Sequence, residues 1–362
     1  MRKPLLALLV LVLVPLTGAG CGSGSDDPNP PGDDDDGGGD VPPFTNGVSM
    51  LSGSAEAGYV DGARGKARLA NPVNVACGPD GRIYVADFDN GKIRAVDADT
   101  GETSTLIATG GFQRPFGMVF GGNGTLYVAT DRDPQGTAGP MSGTIWRVDV
   151  GGHMATPLAT RIGRPRGLAV LPDGTIAVAD YLHHVIELFD PNTGGFAVLA
   201  GAWDAKGYAD GVGDAARFST PYGLVYVNGG LVVADFENHR LRRVELDGRV
   251  STLTGTGDAG FADGSLAAAR FNKPQGVAVA ANGDLYVSDI ENFRIRRIHG
   301  GTVETVAGSG QPGYADDDNR LASKFYGLEG LCVEPDGSMV YVADGSRGES
   351  APYHRIRSVK MK

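Results

Sequence analysis

The chain has 362 residues, with 57 Gly, 21 Pro and 41% hydrophobic residues. So many turn-forming residues, beside enough apolar material for a core, favour short strands joined by tight turns over a fold of long helices. The formal net charge of −11 argues against a nucleic-acid partner, because phosphate binding requires a basic surface.

Residues 1–20 have the pattern of a secretory signal. Arg2 and Lys3 precede the apolar run 5–16, which is shorter than the roughly 20 residues that span a bilayer, and small residues follow before Cys21. This segment resembles a bacterial lipobox, in which the cysteine is acylated, although Gly18 stands where that motif usually has Leu. We expect a lipid anchor at Cys21, with ordinary signal cleavage as the alternative.

Residues 21–46 contain seven Asp residues and no apolar cluster. They cannot bury enough surface to offset the cost of ordering, so we expect a flexible acidic tether behind the acylated cysteine. A calcium site is disfavoured, because a metal cage needs ligands in fixed geometry. Without these seven Asp residues and the two basic residues of the signal, the formal net charge changes from −11 to about −6, so residues 47–362 are mildly acidic.

Residues 47–362 contain six segments that begin alike, and each leads through a turn such as PDG into a second strand such as IYVAD. Most continue to a third and a fourth strand, and four short strands in a unit of about 50 residues indicate a propeller blade. The six beginnings are NPVNVAC (71–77), RPFGMVF (114–120), RPRGLAV (164–170), TPYGLVY (220–226), KPQGVAV (273–279) and YGLEGLCV (326–333).

The pattern Pro-x-Gly-Val-Ala-Val, turn, Leu-Tyr-Val-Ala-Asp, Asn-x-Arg-Ile-Arg resembles the NHL repeat, and the resemblance covers essentially all of residues 47–362. It implies an all-β, six-bladed β-propeller. It does not fix a function, because NHL propellers serve as extracellular sensors, protein-binding modules, RNA binders and, in some relatives, enzymes.

The two ends of the repeat region predict how the ring closes. The last unit stops after its third strand, RIRSVKM, while GVSMLSGSAEAGYVDG (47–62) matches RVSTLTGTGDAGFADG (249–264) without a gap. The N-terminal segment is therefore expected to supply the fourth strand of the last blade, which leaves no long sheet edge exposed.

Alternating strand directions assign the connections to two rims. The first-to-second and third-to-fourth strand connections are short turns, and they define the short-turn rim. The elaborated rim carries the other connections, including the segments around 58–62, 207–211, 260–264 and 313–317 and the loops 130–143 and 345–353. We expect any recognition to occur on the elaborated rim.

Recurring polar residues are expected to be structural. The Asp that ends the second strand and the Asn three residues later recur in most blades, as turn residues do. Asp61, Asp210 and Asp263 precede alanine-rich segments and are predicted to be helix N-caps. The six histidines are spread around the ring, so a metal centre built from them is disfavoured.

Cys77 and Cys332 lie in the first strands of neighbouring blades. Alignment on the shared PDG turns puts Cys77 opposite Val333 and Cys332 opposite Ala76, which directs the two thiols to opposite faces of their sheets. We therefore expect two buried free thiols, with a disulfide as the alternative in an oxidising compartment.

The candidate binding site is the set of residues between Pro and Gly at the start of each innermost strand, here called the mouth residues. They differ between blades, and we expect them to be exposed around the channel mouth and to bind a ligand there, with unconstrained surface drift as the alternative. The mouth residues are Val73, Phe116, Arg166, Tyr222, Gln275 and Glu329, and the binding role is assigned to the last five.

Two functions follow from this pattern. The first is a non-catalytic binding module at the bacterial cell envelope, a monomer with a protein or glycan ligand, no cofactor, no nucleic acid, and membrane contact only through the lipid. The second is a metal-dependent lyase or lactonase. Gluconolactonase-like propeller hydrolases hold a divalent cation with Glu, Asn and Asp at the channel mouth, and here Glu329 and Asn74 resemble part of that set. No nucleophile with a base can be assembled, which favours the first.

The lipid-anchor hypothesis predicts that Cys21→Ser releases the protein from membranes, because acylation supplies the only expected attachment. Fractionation of cells that express each form, followed by immunoblotting, measures this. Undiminished membrane association of the variant would contradict the hypothesis.

Overall fold

The computed structural model describes residues 44–362, and these form six antiparallel sheets that are the blades of a β-propeller. The predicted signal, Cys21 and most of the predicted tether lie outside the described residues. Within 44–362 no helix has the length and apolar character needed to cross a membrane.

The blades follow one another in chain order. Strand β1 (Val48–Ser54) precedes blade 1, which consists of β2 (Pro72–Cys77), β3 (Arg82–Asp87), β4 (Lys92–Asp97) and β5 (Thr103–Ile107). Blade 2 consists of β6 (Pro115–Phe120), β7 (Leu126–Thr130), β8 (Gly143–Asp149) and β9 (Met154–Ile162). Blade 3 consists of β10 (Pro165–Val170), β11 (Ile176–Asp180), β12 (Val185–Phe189) and β13 (Phe196–Ala200).

Blades 4 and 5 each gain a two-residue outer strand. Blade 4 consists of β14 (Gly211–Val212), β15 (Pro221–Val227), β16 (Gly230–Asp235), β17 (Arg240–Glu245) and β18 (Arg249–Thr254). Blade 5 consists of β19 (Gly264–Ser265), β20 (Pro274–Val279), β21 (Leu285–Asp289), β22 (Arg294–His299) and β23 (Thr302–Ala307). Blade 6 consists of β24 (Leu328–Val333), β25 (Met339–Asp344), β26 (His354–Lys360) and β1. Short 3-10 helices span Gly213–Ala215, Phe236–Asn238 and Ile290–Asn292.

The core lies between neighbouring blades. The second strands are buried along most of their length, and IAVAD in β11 along all of it, because sheets pack against both of their faces. At the junction of blades 6 and 1, for example, Leu51 and Ile356 of blade 6 pack with Val75 and Val85 of blade 1. Continuous apolar runs in the second strands follow from this two-sided packing.

Strand β1 completes blade 6, as predicted. It pairs antiparallel with β26 from Val48 opposite Val359 to Ser54 opposite His354. Leu51 is fully buried in the junction with blade 1. The two ends of the repeat region therefore close the ring within one sheet.

The prediction of free thiols was wrong, because Cys77 and Cys332 form a disulfide. The predicted alignment of the two strands is correct. Ala76 pairs with Tyr84 in blade 1, and Cys332 pairs with the equivalent Tyr341 in blade 6, so Cys332 is equivalent to Ala76 and not to Cys77. In a ring, however, one face of each sheet packs against the opposite face of its neighbour. Side chains on opposite faces of equivalent strands therefore meet at a blade junction, and both cysteines lie in the junction of blades 6 and 1.

Blades 1, 4, 5 and 6 are each preceded by a segment, here called an insert, that contacts the blade through a buried arginine. The inserts are 55–70, 202–218, 256–271 and 309–325. In blade 4, Arg242 donates to Asp235 at the end of the second strand (2.7 Å) and to Asp210 of the insert (2.6 Å). Its two terminal nitrogens also donate to the backbone carbonyls of Arg217 and Ala209. We call this arrangement the arginine bridge. The four bridges are Asp87–Arg94–Asp61, Asp235–Arg242–Asp210, Asp289–Arg296–Asp263 and Asp344–Arg357–Asp316.

The bridge corrects the predicted helix caps. Asp61, Asp210 and Asp263 bind an arginine and a threonine of the fourth strand instead of capping a helix. The 3-10 helix after Asp210 has no side-chain cap. The structural interpretation of the Asp and Asn turn pairs is confirmed, since Asn238 donates to Asp235 at 2.8 Å and equivalent bonds recur in blades 1 and 5.

Blades 2 and 3 have neither an insert nor an arginine bridge. In blade 2, Thr130 and Trp146 occupy the bridge positions, and the Trp146 indole N–H donates to the Thr130 hydroxyl at 2.8 Å. In blade 3, Glu187 replaces the arginine and His183 replaces the turn Asn, with Nδ1 of His183 2.6 Å from Asp180. This sector of the elaborated rim is therefore built differently from the rest.

Three histidines connect neighbouring blades. Nδ1 of His184, His239 and His354 accepts a backbone N–H from the start of the next blade, at 3.0–3.1 Å. Burial lowers the pKa of all three, which favours the neutral imidazole that can accept this bond. These contacts give the three side chains a structural role.

Deletion of residues 47–53 is expected to destabilise the whole propeller, because it removes most of β1 and opens the ring at blade 6. A control deletion of residues 22–40 leaves residues 44–362 intact and is expected to change stability little. Thermal unfolding of both proteins, followed by circular dichroism, measures the difference. Equal melting temperatures would contradict closure by β1.

Candidate functional site

The innermost strands enclose a central channel with a cavity of about 280 Å³. Its lining includes Arg166, Tyr222 and Gln275 at the mouth and the Cys77–Cys332 disulfide further along. The mouth lies on the elaborated rim, where each first strand begins.

A β-bulge positions the mouth residue in every blade. In each blade the pairing of the first and second strands shifts register just after the Pro or Leu that begins the first strand. Examples are the shifts between Pro165 and Gly167 and between Pro221 and Leu224. Such a bulge re-aims the side chain that it carries. The following glycine allows neighbouring strands to approach, since a Cβ on Gly167 would lie 2.3 Å from the carbonyl oxygen of Tyr222.

The expectation that the mouth residues are exposed was wrong. Phe116, Arg166, Gln275 and Glu329 are 6–8% exposed, and Tyr222 is half-buried. The bulge turns these side chains toward one another, so they pack as a cluster rather than projecting into solvent. The five residues do lie together at one mouth, and substitutions there will affect stability as well as any binding.

Arg166 is the centre of this cluster. Its guanidinium pairs with Asp131 through both terminal nitrogens, with Nη2 3.0 Å from Oδ2. Arg164 donates to the same carboxylate at 2.9 Å. Burial alone would raise the pKa of Asp131, but the two guanidinium groups hold it below its usual value. Two cations therefore share one carboxylate, and the group carries a surplus positive charge.

Two aromatic rings pack against the Arg166 guanidinium. It lies 4.2 Å from the Phe116 ring centre and 4.3 Å from the Tyr181 ring centre. Tyr222 packs against both rings and against Phe236, at centroid distances of 4.8–6.0 Å. Cation–π contacts of this kind fix the position of the guanidinium in the partly desolvated mouth.

Glu329 and Gln275 form the other side of the mouth. The Gln275 amide donates to Oε2 of Glu329 at 3.0 Å. Burial raises the pKa of Glu329 to about 7, against the opposing effects of Gln275, Arg166 and Arg347. Glu329 thus changes between a hydrogen-bond donor and a charged acceptor near neutral pH.

The residues that resemble part of a metal set, Asn74 and Glu329, both have hydrogen-bond partners within the protein. The side-chain oxygen of Asn74 accepts the backbone N–H of Val75 at 2.9 Å, and Oε2 of Glu329 is used by Gln275. Val73 is buried. Throughout residues 44–362, no three His, Cys, Asp or Glu side chains are grouped so that they could hold a metal ion.

Sequence analysis missed Asp131, Tyr181 and Arg164, which complete the cluster. Each lies next to a recognised position: Asp131 and Tyr181 follow the ends of second strands, and Arg164 precedes the first-strand proline of blade 3. Asp131 could have been noticed because it directly follows Thr130, where blade 2 departs from the repeat.

The described part of the chain is a six-bladed β-propeller. The model of the NHL repeat matches residues 218–243 and 271–298, so NHL repeats are present in blades 4 and 5. The chain is 29% identical over 286 residues to the protein SUPPRESSOR OF QUENCHING 1, chloroplastic, of Arabidopsis thaliana. That similarity covers 69% of this chain and 27% of the plant protein, so the chain spans a minor part of this relative.

Solved structures share the fold at low sequence identity. A protein of unknown function from Bacteroides thetaiotaomicron superposes with a TM-score of 0.69 and 19% identity, covering 87% of this chain and 75% of that one. An auxiliary nutrient binding protein from the same organism superposes with a TM-score of 0.67 and 17% identity, covering 86% and 75%.

Asp131→Ala is expected to destabilise the protein by about 3–5 kcal/mol, because it leaves the buried Arg166 guanidinium without its carboxylate. Urea unfolding measures the change, with the exposed Asp258→Ala as the control, for which a change within about 0.5 kcal/mol is expected. Similar stabilities of the two variants would show that Arg166 does not depend on Asp131.

Proposed function

We propose that this chain is a non-catalytic binding module that recognises a polar ligand, a glycan or a protein segment, at the cell envelope. The proposal rests on one observation: four consecutive blades place a cation, an aromatic ring, an amide and a carboxyl group at one channel mouth. These groups are Arg166, Tyr222, Gln275 and Glu329, with Phe116 of blade 2 beside them.

The packing of the mouth supports binding rather than a flexible surface. Asp131, Phe116 and Tyr181 fix the Arg166 side chain before any ligand arrives. A preorganised site loses little side-chain entropy on binding. Tyr222 is the half-buried member, and an aromatic ring at this position offers contact area to an apolar patch of the ligand.

Three observations support the envelope as the location. The sequence begins with a signal-like segment and a lipobox-like cysteine. The Cys77–Cys332 disulfide suits an oxidising compartment, where such bonds persist. A Bacteroides protein of the same fold is named as an auxiliary nutrient binding protein, and by analogy we propose uptake-related recognition here.

Arrays of oligosaccharides and peptides, followed by calorimetry with the purified full-length protein, test this proposal. Tyr222→Ala is expected to weaken the affinity for a ligand so found by at least about tenfold, because it removes the central aromatic contact. Asp247→Ala, on the short-turn rim, is the control and should bind as the unaltered protein does.

Loss of affinity in Asp247→Ala, with Tyr222→Ala unaffected, would contradict the assignment of the binding face. Metal analysis of the same preparation tests the enzymatic alternative. If the protein contains a stoichiometric divalent cation and turns over a lactone or a lyase substrate, its function is that of an enzyme and the binding-module proposal is wrong.

A further inference from the structure

A second concave region lies on the elaborated rim between blades 1 and 2. It is a groove of about 460 Å³, here called the blade 1–2 groove. One wall is the turn 88–92 of blade 1, and the floor is the linker 108–114. Arg132, in the expanded loop of blade 2, closes the other side.

The groove is open because blade 2 has no insert. Before blade 4 the corresponding connection is the insert 202–218, which contacts both neighbouring blades. Its Trp203 ring stacks on His183 of blade 3 at 4.2 Å. Its Asp210 binds Arg242 of blade 4. The linker 108–114 is too short to fill this space. Its residues 108–110 are exposed, and a Cβ on Gly110 would have no neighbour within 4 Å.

Three cations surround this groove, although residues 44–362 are acidic overall. Lys92, Arg114 and Arg132 line it together with one carboxylate, Asp89. The Lys92 ammonium donates to the carbonyl of Ala108 at 3.3 Å. Arg132 donates to the carbonyl of Gly136 at 2.7 Å, which uses one of its five N–H donors. The balance of charge favours an anionic occupant.

The groove adjoins the channel mouth across one pair of packed aromatic rings. The Phe88 ring, in the groove wall, packs edge-on against Phe116 of the mouth at 6.0 Å, and the Arg114 guanidinium lies 5.2 Å from the centre of the same Phe88 ring. Arg132 directly follows Asp131, which binds Arg166. A ligand held at the mouth can therefore extend into the groove without leaving the protein surface.

We propose that the blade 1–2 groove is an anionic subsite that binds a carboxylated residue of a glycan whose neighbouring residues occupy the mouth. This assignment rests on the proposed function and names its ligand class. The three cations bind the carboxylate, and the exposed backbone of 109–110 offers donors and acceptors to hydroxyl groups. A peptide is less suited, because the groove offers one aromatic face, Phe88, rather than a series of apolar side-chain pockets.

Calorimetry with oligogalacturonate and with its methyl ester of the same length tests this subsite. The two probes have the same sugar chain and differ at the carboxyl group, which is charged in one and a neutral methyl ester in the other. The unaltered full-length protein is expected to bind the acid at least about tenfold more tightly, with the preference reduced by added salt. The triple variant Lys92→Gln, Arg114→Gln, Arg132→Gln should lose the preference and keep the affinity for the ester. The triple variant Arg82→Gln, Arg147→Gln, Arg249→Gln removes three exposed cations elsewhere and should keep the preference.

The possible outcomes separate the subsite from the mouth. The subsite assignment is overturned if the unaltered protein binds acid and ester with equal affinity or binds neither of them. It is also overturned if the groove variant still prefers the acid. Equal competition by an oligoglutamate peptide overturns its assignment to a glycan. If the groove variant loses the preference while Tyr222→Ala binds both sugars normally, the anionic groove stands and the proposed role of the mouth fails.

Discussion

A buried arginine in the third strand determines how four of the six blades carry their inserts on the elaborated rim. Each guanidinium is completely buried, and burial of a charge is costly unless it is paired and fully hydrogen-bonded. One partner comes from the blade itself, the Asp that ends the second strand, and the other from the insert. The Asp of the blade already balances the guanidinium charge, and the insert adds a second carboxylate and backbone carbonyl acceptors to the same guanidinium. Aromatic rings of the insert, Tyr208 and Phe218, cover the Arg242 guanidinium.

The same interaction explains the asymmetry of the ring. Blades 2 and 3 lack the arginine and also lack an insert. The Thr130–Trp146 pair is neutral, and burial beside Asp180 raises the pKa of Glu187 to about 7. Neither of these blades carries an insert on the elaborated rim. The surplus positive charge of Arg164 and Arg166 and the blade 1–2 groove lie on this side of the ring. The propeller therefore differs on the side of blades 2 and 3, where the repeat lacks the arginine.

The sequence predicted the fold well because the fold depends on local repetition. Blade number, strand order and closure by residues 48–54 follow from aligned segments, and the register of Cys77 and Cys332 was also correct. The disulfide was missed because it depends on how neighbouring sheets face each other, which no single repeat contains. The burial of Arg166 and Glu329 was missed because a β-bulge and partners from other blades, Asp131 among them, determine where these side chains point. The bridges were missed for a related reason, since Asp210 and Arg242 are separated along the chain and Asp210 has a familiar local role as a cap.

Hydrogen exchange of Arg242→Met tests most directly whether the arginine bridge holds its insert. Met is apolar and of similar length, so it fills the same space while Asp235 and Asp210 lose the cation that they share. The account predicts that amides in 202–218 lose protection, while those in the insert before blade 5, 256–271, keep it, because Arg296 is unaltered there. Unchanged protection in 202–218, or an equal loss in both inserts, would contradict it.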